Sequence, residues 1–132
     1  MELTIQQQRA KFALERITAL KDQLADKEKK EFVSYSSSLP AMIHMNGLGQ
    51  AMAFCKVKGC ERKSYTALYQ LVSDWMCETG QPYSGQDTIL DGITTCDMGQ
   101  YQLAQSEALV LMSWVKKFAK AFLAEAKDDS TG

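Results

Sequence analysis

The sequence has one histidine, His44, and two prolines in 132 residues. General acid–base chemistry near neutral pH therefore has a single candidate of unperturbed pKa. The four cysteines, Cys55, Cys60, Cys77 and Cys96, form no C-x-x-C pair. The close Cys/His pairs that hold a structural zinc are absent, so no metal and no cofactor is expected. No run approaches the ~18 apolar residues of a membrane span, and the opening MELTIQQQRAKF has no apolar signal core. These absences point to a cytoplasmic protein with reduced thiols and no membrane contact. Two prolines and eight glycines imply few, short loops. Neither strand alternation nor a hairpin signal occurs, and without strands no glycine-rich turn can act as a strand-to-helix phosphate loop. The chain is expected to be no enzyme.

What is present is helical periodicity. Hydrophobic residues make up 45% and charged residues 23%, ordinary for a folded domain. A chain of this length buries roughly two thirds of its unfolded surface, so residues 1–132 are read as one helical domain with a frayed tail at 128–132. Thr4-Ile5-Gln6-Gln7 has the form of a capping box. Ala10, Ala13, Leu14, Ile17, Leu20 and Leu24 then keep one apolar stripe. That helix ends at DKEKKE or kinks onward into FVSYSSS, and Leu39-Pro40 should close the segment. Pro40 suits the first turn of a further helix, running to about Lys58 and stopped by Gly59.

That further helix is apolar nearly all round, which predicts a buried central helix. Gly47 with Ala51, and Gly49 with Ala53, would form small patches on opposite faces that let two helices approach closely. A break at Asn46-Gly47 is the alternative. Lys63 to Gly80 forms another stripe through Tyr65, Leu68, Leu71, Val72, Trp75 and Met76. Asp87 to Cys96 reads as a short helix. Asp97 caps the longest helix, to about Lys127, with its seam at Tyr101, Ala104, Ala108, Leu111, Val115, Phe118 and Phe122. The fold class is all-α: a compact bundle of five to six helices around a central buried helix.

His44, within the central helix, is expected to be a satisfied core or interface residue. Asp87 and Asp91 could share a face, but a helix cap plus an exposed carboxylate accounts for them. Surface charge remains. The net charge is −1, yet its distribution is uneven. Residues 64–107 carry six acids and no Lys or Arg. Lys56, Lys58, Arg62 and Lys63 surround the end of the central helix. Arg9 and Arg16 lie seven apart beside the first apolar stripe. Lys116, Lys117 and Lys120 follow with no acid between Ala108 and Lys120. Three such clusters favour a partner carrying phosphates.

Four blocks occur in order: QQRAKFALERI, YSSSLPAMIHMNGLGQAMAFCKVKG, YTALYQLVSDWM and YQLAQSEALVLMSWVKKFAKAFLAEA. Together they resemble the small subunit of the type III-B CRISPR–Cas effector, the Cmr RAMP module. The resemblance implies an all-helical, non-catalytic subunit of an antiviral ribonucleoprotein. Copies would self-associate as a filament along the RAMP-family backbone subunits that hold the guide RNA, with target RNA in the groove between. Pairing would read sequence, so the protein needs shape and backbone contacts. That suits basic clusters with no base-stacking aromatic platform. The rival reading is a helical protein–protein adaptor with no nucleic-acid contact.

Overall fold

A computed structural model describes residues 2–124, and among these it contains five helices and no strand. They are α1 (Ile5–Gln23), α2 (Asp26–Gly59), α3 (Lys63–Met76), α4 (Ile89–Thr95) and α5 (Met98–Phe122). The expected tail at 128–132 lies outside the described residues. Helix α1 starts at the capping box: the Gln7 N–H donates to Thr4 Oγ1 at 3.1 Å and the Thr4 N–H to Gln7 Oε1 at 2.8 Å. Ala13, Ile17, Leu20 and Leu24 are buried, whereas Leu14 of the expected stripe is exposed. The chain leaves the helix in extended conformation at Leu24. Glu28 then caps the restart, accepting from the Ala25 N–H at 2.8 Å.

Helix α2 departs from the expectation in two places. It does not end at Leu39-Pro40; Pro40 lies inside it. The ring removes one helical hydrogen bond, a cost of about 3 kcal/mol. Burial of Phe32, Leu39 and Ile43 on the same helix, each at most 1% exposed, works against that cost. The helix instead breaks at Gly47, with φ 88° and ψ 157°, close to a region that essentially glycine alone occupies. The continuous central helix is therefore two arms, 26–46 and 48–59.

The break reverses the chain. Glu31 precedes Gly47 by roughly 24 Å of helix, and Arg62 follows the end of the second arm, about 18 Å of helix beyond Gly47, yet Arg62 Nη1 lies 2.7 Å from Glu31 Oε2. The arms thus return alongside each other. A reversed helix start exposes backbone donors, and α5 satisfies two of them. The Leu48 N–H donates to Gln105 Oε1 and the Gly49 N–H to the Tyr101 hydroxyl oxygen, both at 2.9 Å. The two glycines do not serve opposite faces. A β-carbon on either would meet Tyr101.

Nor is the segment buried all round. Leu48, Ala51, Met52 and Cys55 are fully buried, but Met45 is 82% and Val57 67% exposed. His44 is also exposed, beside a shallow groove with Tyr101, Gln102, Gln105, Ser106 and Leu109; it is not a core histidine.

Helix α3 buries Leu68, Leu71, Val72, Trp75 and Met76 as expected, together with Tyr69. It stops at Met76, short of Gly80. The buried Ser73 hydroxyl oxygen accepts from the Ile89 N–H at 2.9 Å, fixing the start of α4. Asp97 caps α5 by accepting from the Gln100 N–H at 2.9 Å. Helix α5 ends at Phe122 with Leu123 as its cap, earlier than the expected Lys127. All four cysteines are free thiols.

The Gly47 turn makes the first prediction. Gly47→Ala should destabilise by about 1–3 kcal/mol, because alanine must enter a glycine-only conformation. Gly49→Ala should shift stability by less than about 1 kcal/mol, since its φ is not positive and its added carbon would sit at an ordinary 3.4 Å from Ile93 Cγ2. Thermal melts of the two variants check the contrast.

The thiols make the second. Burial pushes the Cys55 thiol from 9.0 up to about 11, because desolvation penalises the thiolate. Between about pH 9 and 11 the folded state keeps a proton that the unfolded state releases, so stability should fall as pH rises through that window. Denaturant titrations across the window measure it. In native protein a thiol reagent should label exposed Cys60 and leave Cys55 untouched until unfolding.

Candidate nucleic-acid interface

The nine candidate cations fall into two physical groups. The first group is engaged by other groups of the chain. Arg9 makes a paired contact to Glu107, Nε–Oε2 at 2.6 Å and Nη2–Oε1 at 2.8 Å. The two side chains are only 14% and 11% exposed. The Trp75 indole N–H donates to the same Oε2 at 2.8 Å, so one carboxylate ties α1, α3 and α5. The hydrogen bond to Glu107 raises the Arg9 pKa further, against the opposing effect of burial. Arg16 pairs with Asp74 at 2.6 Å, and its guanidinium lies 4.9 Å from the Phe12 ring centre. Arg62 pairs with Glu31, whose second oxygen accepts from the Ser64 hydroxyl at 3.0 Å. Lys63 Nζ donates to the Gln23 carbonyl at 3.1 Å, closing the end of α1.

The second group faces solvent. Lys116, Lys117 and Lys120 are exposed on the outer side of α5, with Ala108, Leu111, Val115 and Ala119 buried behind them. None of the three lysines forms a salt bridge to another described residue. Lys116 and Lys120 share a flank, and Lys117 lies about 100° round the helix. Lys56 and Lys58 project from the second arm of α2. Lys56 Nζ sits 5.0 Å from the Tyr69 ring centre and Lys58 Nζ 5.7 Å from that of Phe54. Such contacts are worth about 0.5–1 kcal/mol at exposed sites, so both ammonium groups can exchange them for another partner.

The acids divide in the same way. Asp74 and Glu107 are taken up by arginines. Glu78, Asp87, Asp91 and Asp97 stay exposed around α4. Asp91 accepts from the Thr88 hydroxyl at 3.0 Å and Asp97 caps α5. No three His, Cys, Asp or Glu side chains among the described residues are grouped to hold a metal.

The sequence reading missed an aromatic cluster. Tyr35 of the first arm stacks on Tyr65 of α3, with ring centres 3.7 Å apart and planes at 14°. Phe54 of the second arm meets Tyr65 edge-on at 5.7 Å. Burial pushes the Tyr65 hydroxyl pKa up. The sequence offers the three rings separately, Tyr65 within the stripe of α3. Their meeting depends on the reversal at Gly47.

The arrangement is a helical body whose candidate cations either tie elements together or lie exposed without a salt bridge to another described residue. A family model, CRISPR-associated protein (Cas_Cmr5), matches residues 5–122. The chain belongs to that family. It is thus a member of the small-subunit family of the type III-B Cmr complex. The matched span includes all five helices and every candidate cation. As a Cmr-family subunit it works among other effector subunits. No helix among the described residues is long and apolar enough to cross a membrane.

The Glu107 junction yields a prediction. Glu107→Ala leaves the part-buried Arg9 charge and the Trp75 indole N–H without their acceptor. It should cost on the order of 3 kcal/mol, read by denaturant unfolding. Arg16→Ala, at a half-exposed pair, should cost less than about 1 kcal/mol.

Proposed function

We propose that this chain is a non-catalytic small subunit that self-associates along the backbone subunits of a Cmr effector and contacts the phosphates of its RNA through exposed lysines. One observation carries the reading. Lys116, Lys117 and Lys120 lie exposed on one helix without a salt bridge to a described residue, whereas Arg9, Arg16 and Arg62 are drawn into tertiary pairs. A cation inside a pair must be released before it can meet a phosphate. A free surface cation needs only to displace water and salt. Lys116, Lys117, Lys120, Lys56 and Lys58 are therefore the leading contacts, and Arg9 is a structural residue. The fold's strongest ionic groups serve helix packing, which supports a non-catalytic role.

The alternative adaptor reading is favoured by apolar exposure. Met98 is 75%, Leu103 59% and Ile5 43% exposed, and Ile5 and Leu103 line one shallow groove. Surfaces of this kind suit protein contacts, and they accommodate assembly with neighbouring subunits under either reading.

The test is charge reversal in the assembled complex. Lys116→Glu with Lys120→Glu should weaken binding to guide-matched target RNA about equally for any sequence. The salt dependence of log K should flatten by roughly one unit per lost contact per copy. The fold should change by less than about 0.5 kcal/mol. Unchanged affinity and slope in an intact complex would remove these lysines from the RNA. Lost assembly would place them at a subunit contact.

A further inference from the structure

The aromatic cluster at the α2–α3 corner lies beside the second basic patch. Phe54 is 36% exposed and its neighbour Val57 67%; Tyr35 and Tyr65 are half-buried. Lys58 holds its ammonium over the Phe54 ring at 5.7 Å. The arm ends at Gly59, and Cys60 and the turn lead to Arg62 and Lys63. A half-exposed ring next to an unpaired lysine is the pairing that single-stranded nucleic acid uses. Ring faces take bases, and cations follow the phosphates. The ring is held in place by its edge contact to Tyr65, itself stacked on Tyr35, so little side-chain freedom is lost when a base arrives.

We infer that Phe54, backed by Tyr65 and Tyr35, is a stacking platform for one unpaired RNA base, with Lys58, one turn along the same face, moving from the Phe54 ring onto an adjoining phosphate. The inference rests on the RNA-contacting reading above and adds a chemistry that the lysines alone lack. An unpaired base would be held by its face, whatever its identity, while neighbouring phosphates are held by charge. The Lys58 ammonium now covering Phe54 would be displaced by the base and released toward the strand.

Phosphate contacts and stacking differ in salt response, so they can be separated. The probe is a labelled single-stranded RNA, compared with the same strand carrying abasic positions. Binding is measured to the full chain within its effector complex. Phe54→Leu keeps an apolar contact to Tyr65 but removes the ring, and a melt verifies that the fold is kept. It should weaken binding to the normal strand about five-fold or more and leave the salt slope unchanged. It should have no further effect on the abasic strand, so that ring and base show one shared coupling. Lys58→Gln should instead flatten the salt slope. Equal losses on normal and abasic strands would overturn the platform, as would an unchanged affinity for Phe54→Leu. Lost assembly with RNA affinity retained would also overturn it and assign the ring to a protein neighbour. If Phe54→Leu is silent while Lys116→Glu with Lys120→Glu weakens binding, the platform fails and the RNA reading stands. If neither set alters RNA binding, both fail.

Discussion

The fold depends on one residue having no side chain. At Gly47 the backbone takes φ 88° and ψ 157°, and the chain that would have been one long helix turns back on itself. The contacts between the first arm and the start of α3 follow from that reversal. Glu31 reaches Arg62 and Ser64, and Tyr35 reaches Tyr65. The turn is stabilised from outside as well as permitted from within. Tyr101 and Gln105 of α5 accept the first N–H groups of the second arm, replacing the cap that the preceding residue would normally supply. A β-carbon at Gly47 would also stand 3.0 Å from the Tyr101 hydroxyl, tighter than ordinary contact, so that Tyr101 would have to give way. Backbone conformation and partner position select the same residue.

A second junction fixes the other side of the bundle. Glu107 accepts two hydrogen bonds from Arg9 and one from Trp75. An ionised carboxylate at this exposure is costly to desolvate, and three charge-assisted donors offset that cost. It lies two residues beyond Gln105 and six beyond Tyr101 on α5. Within seven residues, one helix therefore holds the turn of α2 on one side and α1 with α3 on the other. Such a helix needs its inner and flanking faces for packing. Its outer face is left for solvent or a partner, and there Lys117 sits.

The helices were legible in the sequence because their signals are local. Thr4 with Gln7, Asp97 as a cap, and the stripes of α1, α3 and α5 need only neighbours within a turn or two. The Gly47 turn was visible only as an alternative. Whether a glycine supplies a small surface or a special dihedral depended on Tyr101 and Gln105, more than fifty residues downstream. Pro40 failed as a stop for the converse reason: a local preference was overridden by burial on both sides of it. The candidate cations were legible by type and not by availability. Arg9 looked like a surface arginine beside an apolar stripe, and its partner carboxylate lies 98 residues away. The platform of Phe54, Tyr65 and Tyr35 could not be read at all without the reversal that assembles it.

Helix electrostatics sharpen the division between structural and free cations. Arg62 and Lys63 stand at the positive end of α3, and its first turn holds no acid while its last turn holds no base. Taken alone, each charge is placed against the helix dipole, at about 0.3–1 kcal/mol. Neighbouring elements reverse the account. Lys63 lies at the negative end of α1 on the Gln23 carbonyl, Arg62 meets Glu31, and Asp74 near the other end of α3 meets Arg16. These side chains are placed by the helices they join rather than by the helix that carries them. Among the described residues Lys56 and Lys58 answer to no such pairing; they lie against the rings of Tyr69 and Phe54. Beside Phe54, 36% exposed, the Lys58 ammonium over the ring has no salt bridge to another described residue, and that ring face is the one on which the inferred base would stack.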